Sequence, residues 1–224
     1  MRGVTVNSVL LTALLAAKYA GPTLADVIPD TLHVAVNLRD KLPEDPGRGC
    51  GFYVGMVPIQ PRFNPKKNFG HNLRTIHSEA ARKIRDDKEL FKGIISAEAI
   101  DPGLLDALDF ESYGMLENPT TKKFRKIMSK RSRGFALTNL GRHDFPEQFG
   151  DLTVRKVIFL APTPGPFKIL PASVLTACGC LHATFLYRES ILPTTGMKDY
   201  VNTIEHSLRD FIAVDSHVKE GMRS

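Results

Sequence analysis

The sequence predicts an α/β protein in which a mixed β-sheet is flanked by helices. Two periodicities favour this class: apolar residues recur at helical spacing in three long segments, and they alternate like strands in the segments between. The composition agrees, since 224 residues with 42% hydrophobic and 24% charged side chains are typical of a globular protein with a sizeable core. We find no internal repeat and no tract of low complexity.

The opening segment predicts a helix rather than a secretory leader. Its polar residues Thr5, Ser8 and Thr12 fall on one side of the helix, whereas the core of a leader is apolar all round. Cleavage after Ala17 or Ala20 would also lack the small residue that the cleavage site needs. Thr5 or Asn7 is expected to cap the helix. The apolar side of this helix consists of Val6, Val9, Leu10, Ala13, Leu14 and Ala17.

The rest of the chain reads as strands, a long helix, a weaker helical excursion and further strands before a final helix. Strands are predicted within residues 30–42, 50–60, 135–142 and 154–162, and residues 171–179 and 180–190 are expected to form a hairpin around Gly179. Helices are predicted at 69–84 and 197–212, with short helices between 90 and 114 that break at Pro102 and Gly103.

The net charge of +6 is concentrated in one segment, residues 121–134, which carries seven basic residues and no acidic one. Phe124, Ile127 and Met128 form a helical stripe within it, so a solvated face of a surface helix is one interpretation. The alternatives are contact with a phosphate-bearing cofactor, an acidic carrier protein or nucleic acid. Nucleic acid is the least favoured, because Phe124 is the segment's only aromatic residue. The candidate anion or carrier contacts are Lys122, Lys123, Arg125 and Lys126.

The cysteine content favours a reducing compartment, with the cytoplasm as the default. Cys50, Cys178 and Cys180 are too few and too unevenly spaced for a disulfide framework. Cys178, Cys180 and His182 alternate, but a lone Cys-x-Cys pair is a weak metal signal and small packed side chains are favoured, so we predict no metal. No stretch is long and apolar enough to span a membrane.

Five segments in a fixed order carry a family resemblance. The order is VTVNSVLLTALLAA, VAVNLRDKLP, GFYVG, LTNLGRHDFPEQFGDLTV and VLTACGCLHATFLYRES. It resembles the C-terminal half of the chloramphenicol-acetyltransferase-like superfamily, and above all alcohol acetyltransferases, polyketide-associated acyltransferases and condensation domains. The resemblance implies that residues 1–216 form one half of a two-lobed, CoA-dependent acyltransferase fold and that residues 217–224 are a tail.

The resemblance also implies a chemistry. Members of the superfamily transfer an acyl group from a thioester, on coenzyme A or a carrier protein, to a hydroxyl or amine. The general base is a His in the motif HHxxxDG, which lies in the N-terminal half. The best match here, His206 to Asp210, lacks the paired His and the Gly and lies opposite Ile204 and Leu208 on the last helix. We therefore predict no catalytic residue in this chain.

Three residues receive roles through the resemblance. Arg39 resembles an Arg that pairs with the motif's Asp at the interface between the lobes; the alternative is an exposed Arg with no specific partner. Thr138 and Asn139 lie where related enzymes bring polar groups to the substrate tunnel, and they are the candidate substrate-binding residues. The alternative for Asn139 is a bond to its own backbone before a turn at Gly141.

Two functions follow as expectations. The chain is part of an acyl-CoA-dependent O-acyltransferase that is inactive alone and whose N-terminal half is supplied in cis or in trans. Alternatively, it is a non-catalytic module that keeps the fold to bind a partner or an acyl ligand. In both cases acyl-CoA or an acyl carrier thioester is the expected co-substrate or ligand, and no bound cofactor is expected.

Overall fold

The computed structural model describes residues 3–21, 28–98, 100–112, 119–131, 133–161, 168–189 and 192–221. The helices are α1 (Val6–Ala20), α2 (Phe69–Ile84), α3 (Asp87–Glu98), α4 (Pro102–Ser112), α5 (Pro119–Arg131) and α6 (Thr194–Gly221). The strands are β1 (Leu32–Asn37), β2 (Val54–Ile59), β3 (Arg133–Arg142), β4 (Gln148–Phe149), β5 (Leu152–Thr153), β6 (Lys168–Ala177) and β7 (Cys180–Phe185).

The main sheet is mixed and has the order β2-β1-β3-β6-β7. Its three inner strands β1, β3 and β6 are parallel, and each edge strand runs antiparallel to its neighbour. The strands β4 and β5 form a separate small hairpin. The predicted class, a mixed sheet flanked by helices, is therefore confirmed.

The helix α1 lies at the centre of the fold, packed against α2, α6 and β3. Thr5 caps it as expected, accepting a bond from the Ser8 amide at 3.2 Å. The predicted polar side is wrong, however, because Ser8 and Thr12 are 1% and 0% exposed while Val6 is 58% exposed. The Thr12 hydroxyl donates to the Ser8 carbonyl at 2.7 Å, so its burial is compensated by a hydrogen bond.

The core fills the face of the sheet that α1, α2 and α6 cover. Parallel pairing places Leu32, Phe135 and Leu170 at one level on this face, and all three are at most 5% exposed. Phe135 stacks on Tyr200 of α6 with a centroid distance of 6.1 Å. The Tyr200 hydroxyl donates to the Leu14 carbonyl at 2.9 Å, which joins α6 to α1.

Residues 154–161 differ from the prediction, because they form no strand. Val157 and Phe159 are half-buried, whereas Ile158 and Leu160 are 66% and 45% exposed. The Ala161 amide donates to the Ser173 hydroxyl at 2.8 Å, so the end of the segment lies against β6. The alternation of apolar and polar residues in this segment therefore reflects burial of one side of the chain. It does not indicate a strand that is hydrogen-bonded into the sheet.

The predicted hairpin of β6 and β7 is confirmed. Its turn residues Cys178 and Gly179 have φ values of 50° and 70°, the positive angles that a two-residue type I′ turn requires. The helix α6 continues to Gly221, so the boundary expected after residue 216 falls inside this helix.

Gly134 provides a test of the packing between β3 and the chain before β1. A Cβ at this position would lie 2.1 Å from the Thr31 carbonyl oxygen, and its φ is +123°. We expect Gly134→Ala to lower the free energy of unfolding by at least about 3 kcal/mol in urea titrations. Gly141→Ala is the control, because φ is +79° there but space is open, so about 1–2 kcal/mol is expected. Equal losses would contradict this packing.

The burial of the Tyr200 hydroxyl can be tested through the pH dependence of the protein's stability. Burial raises the pKa of this hydroxyl well above the ordinary value of 10.0, so above pH 10 the unfolded chain loses this proton while the folded chain keeps it. Stability from Tyr200 is thus fully present below pH 10 and is lost as the pH rises further. We expect Tyr200→Phe to cost about 1 kcal/mol at pH 7 and to flatten the alkaline loss in urea titrations between about pH 8 and 11.

Tyr187→Phe is the matched control, since it removes another phenol. Some alkaline loss should remain in both variants, because burial and the hydrogen bond to Asp30 raise the pKa of Tyr19 to about 12. An unchanged pH profile in Tyr200→Phe would show that the phenol ionises in the folded protein.

Candidate functional site

The carboxyl ends of β1 and β3 form one edge of the sheet, which we call the carboxyl edge: residues 37–39 and 138–142. Ligands of open α/β sheets bind outside the carboxyl ends of parallel strands. The first turn of α1 reaches this edge, because Asn139 Nδ2 donates to Asn7 Oδ1 at 2.7 Å. The structure therefore places Arg39, Thr138 and Asn139 at the same edge of the sheet.

Asn139 is held at both ends of its amide. Besides the bond to Asn7, its Oδ1 accepts from the Gly141 amide at 2.8 Å. This is the backbone bond that the sequence offered as the alternative for Asn139. The amide therefore ties the end of β3 to α1, and its role in substrate binding stays a prediction.

The side chain of Thr138, unlike that of Asn139, is not tied to a neighbouring element that the structure describes. Thr138 pairs with Ser173 in the register of β3 and β6, on the face opposite the core residues Leu137 and Ala172. It is half-buried, and no hydrogen bond engages its hydroxyl within the described part of the chain. Of the two predicted substrate-binding residues, Thr138 is the one with a donor to offer.

Arg39 lies in the short 3₁₀ turn after β1 (residues 39–41). Its guanidinium sits over the Tyr53 ring at 4.2 Å and donates to the carbonyls of Gly47 and Gly49 at 2.9 Å each. No carboxylate of the described residues pairs with it. Arg39 thus organises the loop of residues 47–53, and its pairing across a lobe interface stays a prediction.

His33 lies on the face of the sheet that Thr138 shares. It pairs with Ala136 in the register of β1 and β3. Burial lowers the pKa of its imidazole, while the hydrogen bond to the Arg133 carbonyl opposes that shift. At neutral pH the ring is therefore uncharged, which suits a weakly solvated position.

The sequence analysis missed a chain of hydroxyls and an imidazole at the start of α1. Ser8 Oγ lies 2.9 Å from Thr5 Oγ1 and 3.0 Å from Nδ1 of His77 on α2. Ser8 is 1% exposed, so it cannot meet a substrate as a nucleophile. Its hydroxyl orients the ring of the half-buried His77. No spacing in the sequence joins residues that lie 69 positions apart.

Residues 121–131 of the basic segment lie in α5, whereas Arg133 is the first residue of β3. The helix α5 packs chiefly against α4 and makes no extensive contact with β1 or β3 in the described structure. Lys122, Lys123 and Lys126 are exposed, and Arg125 is half-buried. The buried side of the helix includes Thr121 at 0% exposure, whereas Ile127 of the predicted apolar stripe is 43% exposed. The side chain of Met128 lies outside the described residues.

The remaining candidates from the sequence form no site. His206 and Asp210 approach to 3.4 Å on α6, but they are 80% and 66% exposed. Cys178 Sγ contacts the Val154 carbonyl at 3.4 Å in the hairpin turn. Among the described residues no group of three His, Cys, Asp or Glu side chains could hold a metal ion, and no helix there is long and apolar enough to cross a membrane.

Comparison with known proteins identifies a fold. No family model and no curated protein matches the chain. The epimerization domain from the third module of tyrocidine synthetase B is similar, with a TM-score of 0.50 and 17% identity over 92% of this chain and 43% of that one. A condensation domain that mediates chain release from the enacyloxin polyketide synthase has a TM-score of 0.49 and 14% identity over 91% and 35%.

The chain therefore has a fold similar to that of the epimerization domain, and it spans less than half the length of both structures. At these identities the likeness concerns the fold alone.

The different roles of Thr138 and Asn139 can be tested by measuring how a substitution at each residue changes the free energy of unfolding. We expect Asn139→Ala to lower the free energy of unfolding by about 1–3 kcal/mol, because the Gly141 amide and the Asn7 side chain lose their partner. Thr138→Val should change it by less than about 1 kcal/mol, since no hydrogen bond is lost. Urea titrations measure both. Equal effects would mean that Asn139 does not tie β3 to α1.

Proposed function

We propose that this chain is one lobe of a two-lobed, acyltransferase-like protein, and that a second lobe carrying HHxxxDG completes the catalytic site in cis or in trans. One observation carries the proposal. The chain follows the fold of the epimerization domain over 92% of its own length, yet that length corresponds to 43% of the domain. We assign the rest of that domain's length to the second lobe, which would complete the tunnel that the family resemblance implies.

The reaction proposed is transfer of an acyl group from acyl-CoA, or from a thioester on a carrier protein, to an alcohol. The His of the second lobe accepts the proton of the hydroxyl, whose oxygen attacks the thioester carbonyl. The resulting oxyanion needs a donor, and the hydroxyl of Thr138 is free to provide one. Collapse of the intermediate forms the ester, while the sulfur leaves and takes up a proton to become the thiol.

Arg39 is proposed to meet the second lobe. Its guanidinium is already fixed by the Tyr53 ring and by two carbonyls, so little side-chain entropy would be lost when a carboxylate binds. The loop that it organises also presents Phe52, which is 82% exposed. An apolar residue beside a fixed cation is typical of a surface that meets another surface.

The basic helix and the compartment complete the proposal. Lys122, Lys123, Arg125 and Lys126 are proposed to contact the phosphates of coenzyme A or an acidic carrier protein. The three cysteines are free, which suits the cytoplasm.

A double-mutant cycle tests the role of Arg39. This chain is co-expressed with an N-terminal lobe that carries HHxxxDG, and thiol release from acyl-CoA is measured with a panel of alcohols. We expect no release with this chain alone and release with both lobes. Arg39→Ala combined with a change of the motif's Asp to Ala should give a coupling energy of about 3 kcal/mol or more if the pair is buried.

The cycle separates a lobe contact from the effect of Arg39 on its own loop, because only the former couples to the Asp. Arg48→Ala in the same loop is the matched control, since it removes an exposed charge and should show no coupling. Thr138→Val should lower the rate about a hundredfold without weakening assembly. Turnover by this chain alone that responds to mutation of one of its own histidines would overturn the proposal.

A non-catalytic binding module is the second candidate. The observation in its favour is a groove along the edge of the sheet at β7, which the proposed acyl transfer does not use.

A further inference from the structure

The last strand of the sheet, β7, has an open edge. It pairs with β6 on one side and has no strand partner on the other side in the part of the chain that the structure describes. A free edge presents a row of backbone N–H and C=O groups to any extended segment that can pair with them. We propose that β7 binds an extended acidic peptide segment of a partner protein by strand addition.

The two edges of the sheet are protected differently. At the other edge, β2 contains Pro58, which cannot donate a backbone hydrogen bond, and α3 packs against this strand. The sequence of β7, CLHATF, contains no proline and no Lys, Arg, Asp or Glu. Leu181 in this strand is 43% exposed. Neither proline nor a charged side chain within β7 therefore opposes pairing at this edge.

A groove follows the open edge and has a volume of about 730 Å³. It is lined by Leu181 and Phe185, whose side chains lie on the core face of β7, and by His182 and Thr184 on the opposite face. A cavity bounded by both faces of a strand lies in the plane of the sheet, where the next strand would be. Met197 of α6 lines it as well.

His182 gives a second indication of a missing partner. Its Nε2 atom is buried and makes no hydrogen bond to any described residue. In contrast, Nε2 of His33 and of His143 each bond a backbone carbonyl, at 3.2 and 2.9 Å. A buried ring nitrogen without a partner is unfavourable. A polar side chain on an added strand would lie beside β7 on the same face as His182 and could complete its hydrogen bond.

The positive charge of the groove favours an acidic partner. The exposed side chains of Lys156 and Lys198 line it, and no Asp or Glu of the described residues does. Pairing of β7 with β7 of a second copy would bring these lysines together between two chains that each carry a net charge of +6. Repulsion of like charges disfavours that arrangement and favours an acidic strand.

The test uses a capped, fluorescein-labelled heptapeptide of alternating Glu and Val and the full chain, with binding followed by fluorescence anisotropy. We expect saturable binding and slower hydrogen exchange of the β7 amides. A Lys and Val version, and an acidic version N-methylated at every amide so that neither of its edges can donate, should each bind at least about tenfold more weakly.

Charge variants of the protein provide the matched comparison. The double variant Lys156→Glu with Lys198→Glu should weaken binding at least about tenfold. Lys88→Glu with Lys92→Glu, on α3 at the other edge of the sheet, makes the same change in net charge and should leave binding unaltered. Circular dichroism confirms that both variants fold.

Four results would overturn the proposal. Equal binding of the N-methylated peptide would show that the groove accepts an acidic molecule without strand pairing. A dimer in sedimentation whose β7 amides are protected without peptide would make a second copy the occupant. The third result is equal weakening by the two charge variants, and the fourth is the absence of saturable binding. None of these results bears on acyl transfer, which is assayed separately.

Discussion

The burial of α1 on nearly all sides along residues 8–18 is the constraint on which the other elements depend. The helix lies between the sheet and the helices α2 and α6, so every polar group on it needs a partner inside the protein. Asn7 and Ser8 find theirs on β3 and α2. At the other end Lys18, which is 3% exposed, pairs with Asp30 at 2.5 Å just before β1. These bonds fix how the sheet and α2 are placed around α1, and the bond from the Tyr200 hydroxyl to the Leu14 carbonyl does the same for α6.

The position of the candidate site follows from that arrangement. Because α1 begins beside the end of β3, the bond between Asn7 and Asn139 lies at the carboxyl edge. Asn139 is used for this connection, which leaves Thr138 on the opposite face with an unengaged hydroxyl in the described structure. The arrangement explains why two adjacent polar residues of one strand suit different roles. Asn139 holds the edge together, and Thr138 keeps the hydroxyl that the proposed acyl transfer would use as a donor.

Periodicity predicted the sheet class, the long helix α2 and the hairpin, because each depends on short-range patterns of burial and on turn residues. It gave the wrong exposure for Ser8 and Thr12, since a helix can bury hydroxyls that bond to its own backbone or to a neighbour. It also predicted a strand within residues 154–162, whereas the described residues 154–161 alternate in burial without forming a strand. Periodicity could not predict the contacts of the site, because Asn7 and Asn139 are 132 positions apart in the sequence. Arg39 was located by resemblance, but its contact with Tyr53 was not.

The two edges of the sheet suggest why one fold can support both proposed roles. Catalytic assembly would use the carboxyl edge, where the strands end and Arg39 is fixed by its loop. Strand addition would use the lateral edge, where β7 lacks the proline that protects β2. Backbone pairing at β7 depends on hydrogen bonds along the strand, whereas the carboxyl edge offers side chains at strand ends. A partner bound at β7 need not occupy the carboxyl edge, so the two surfaces can be mutated and tested independently.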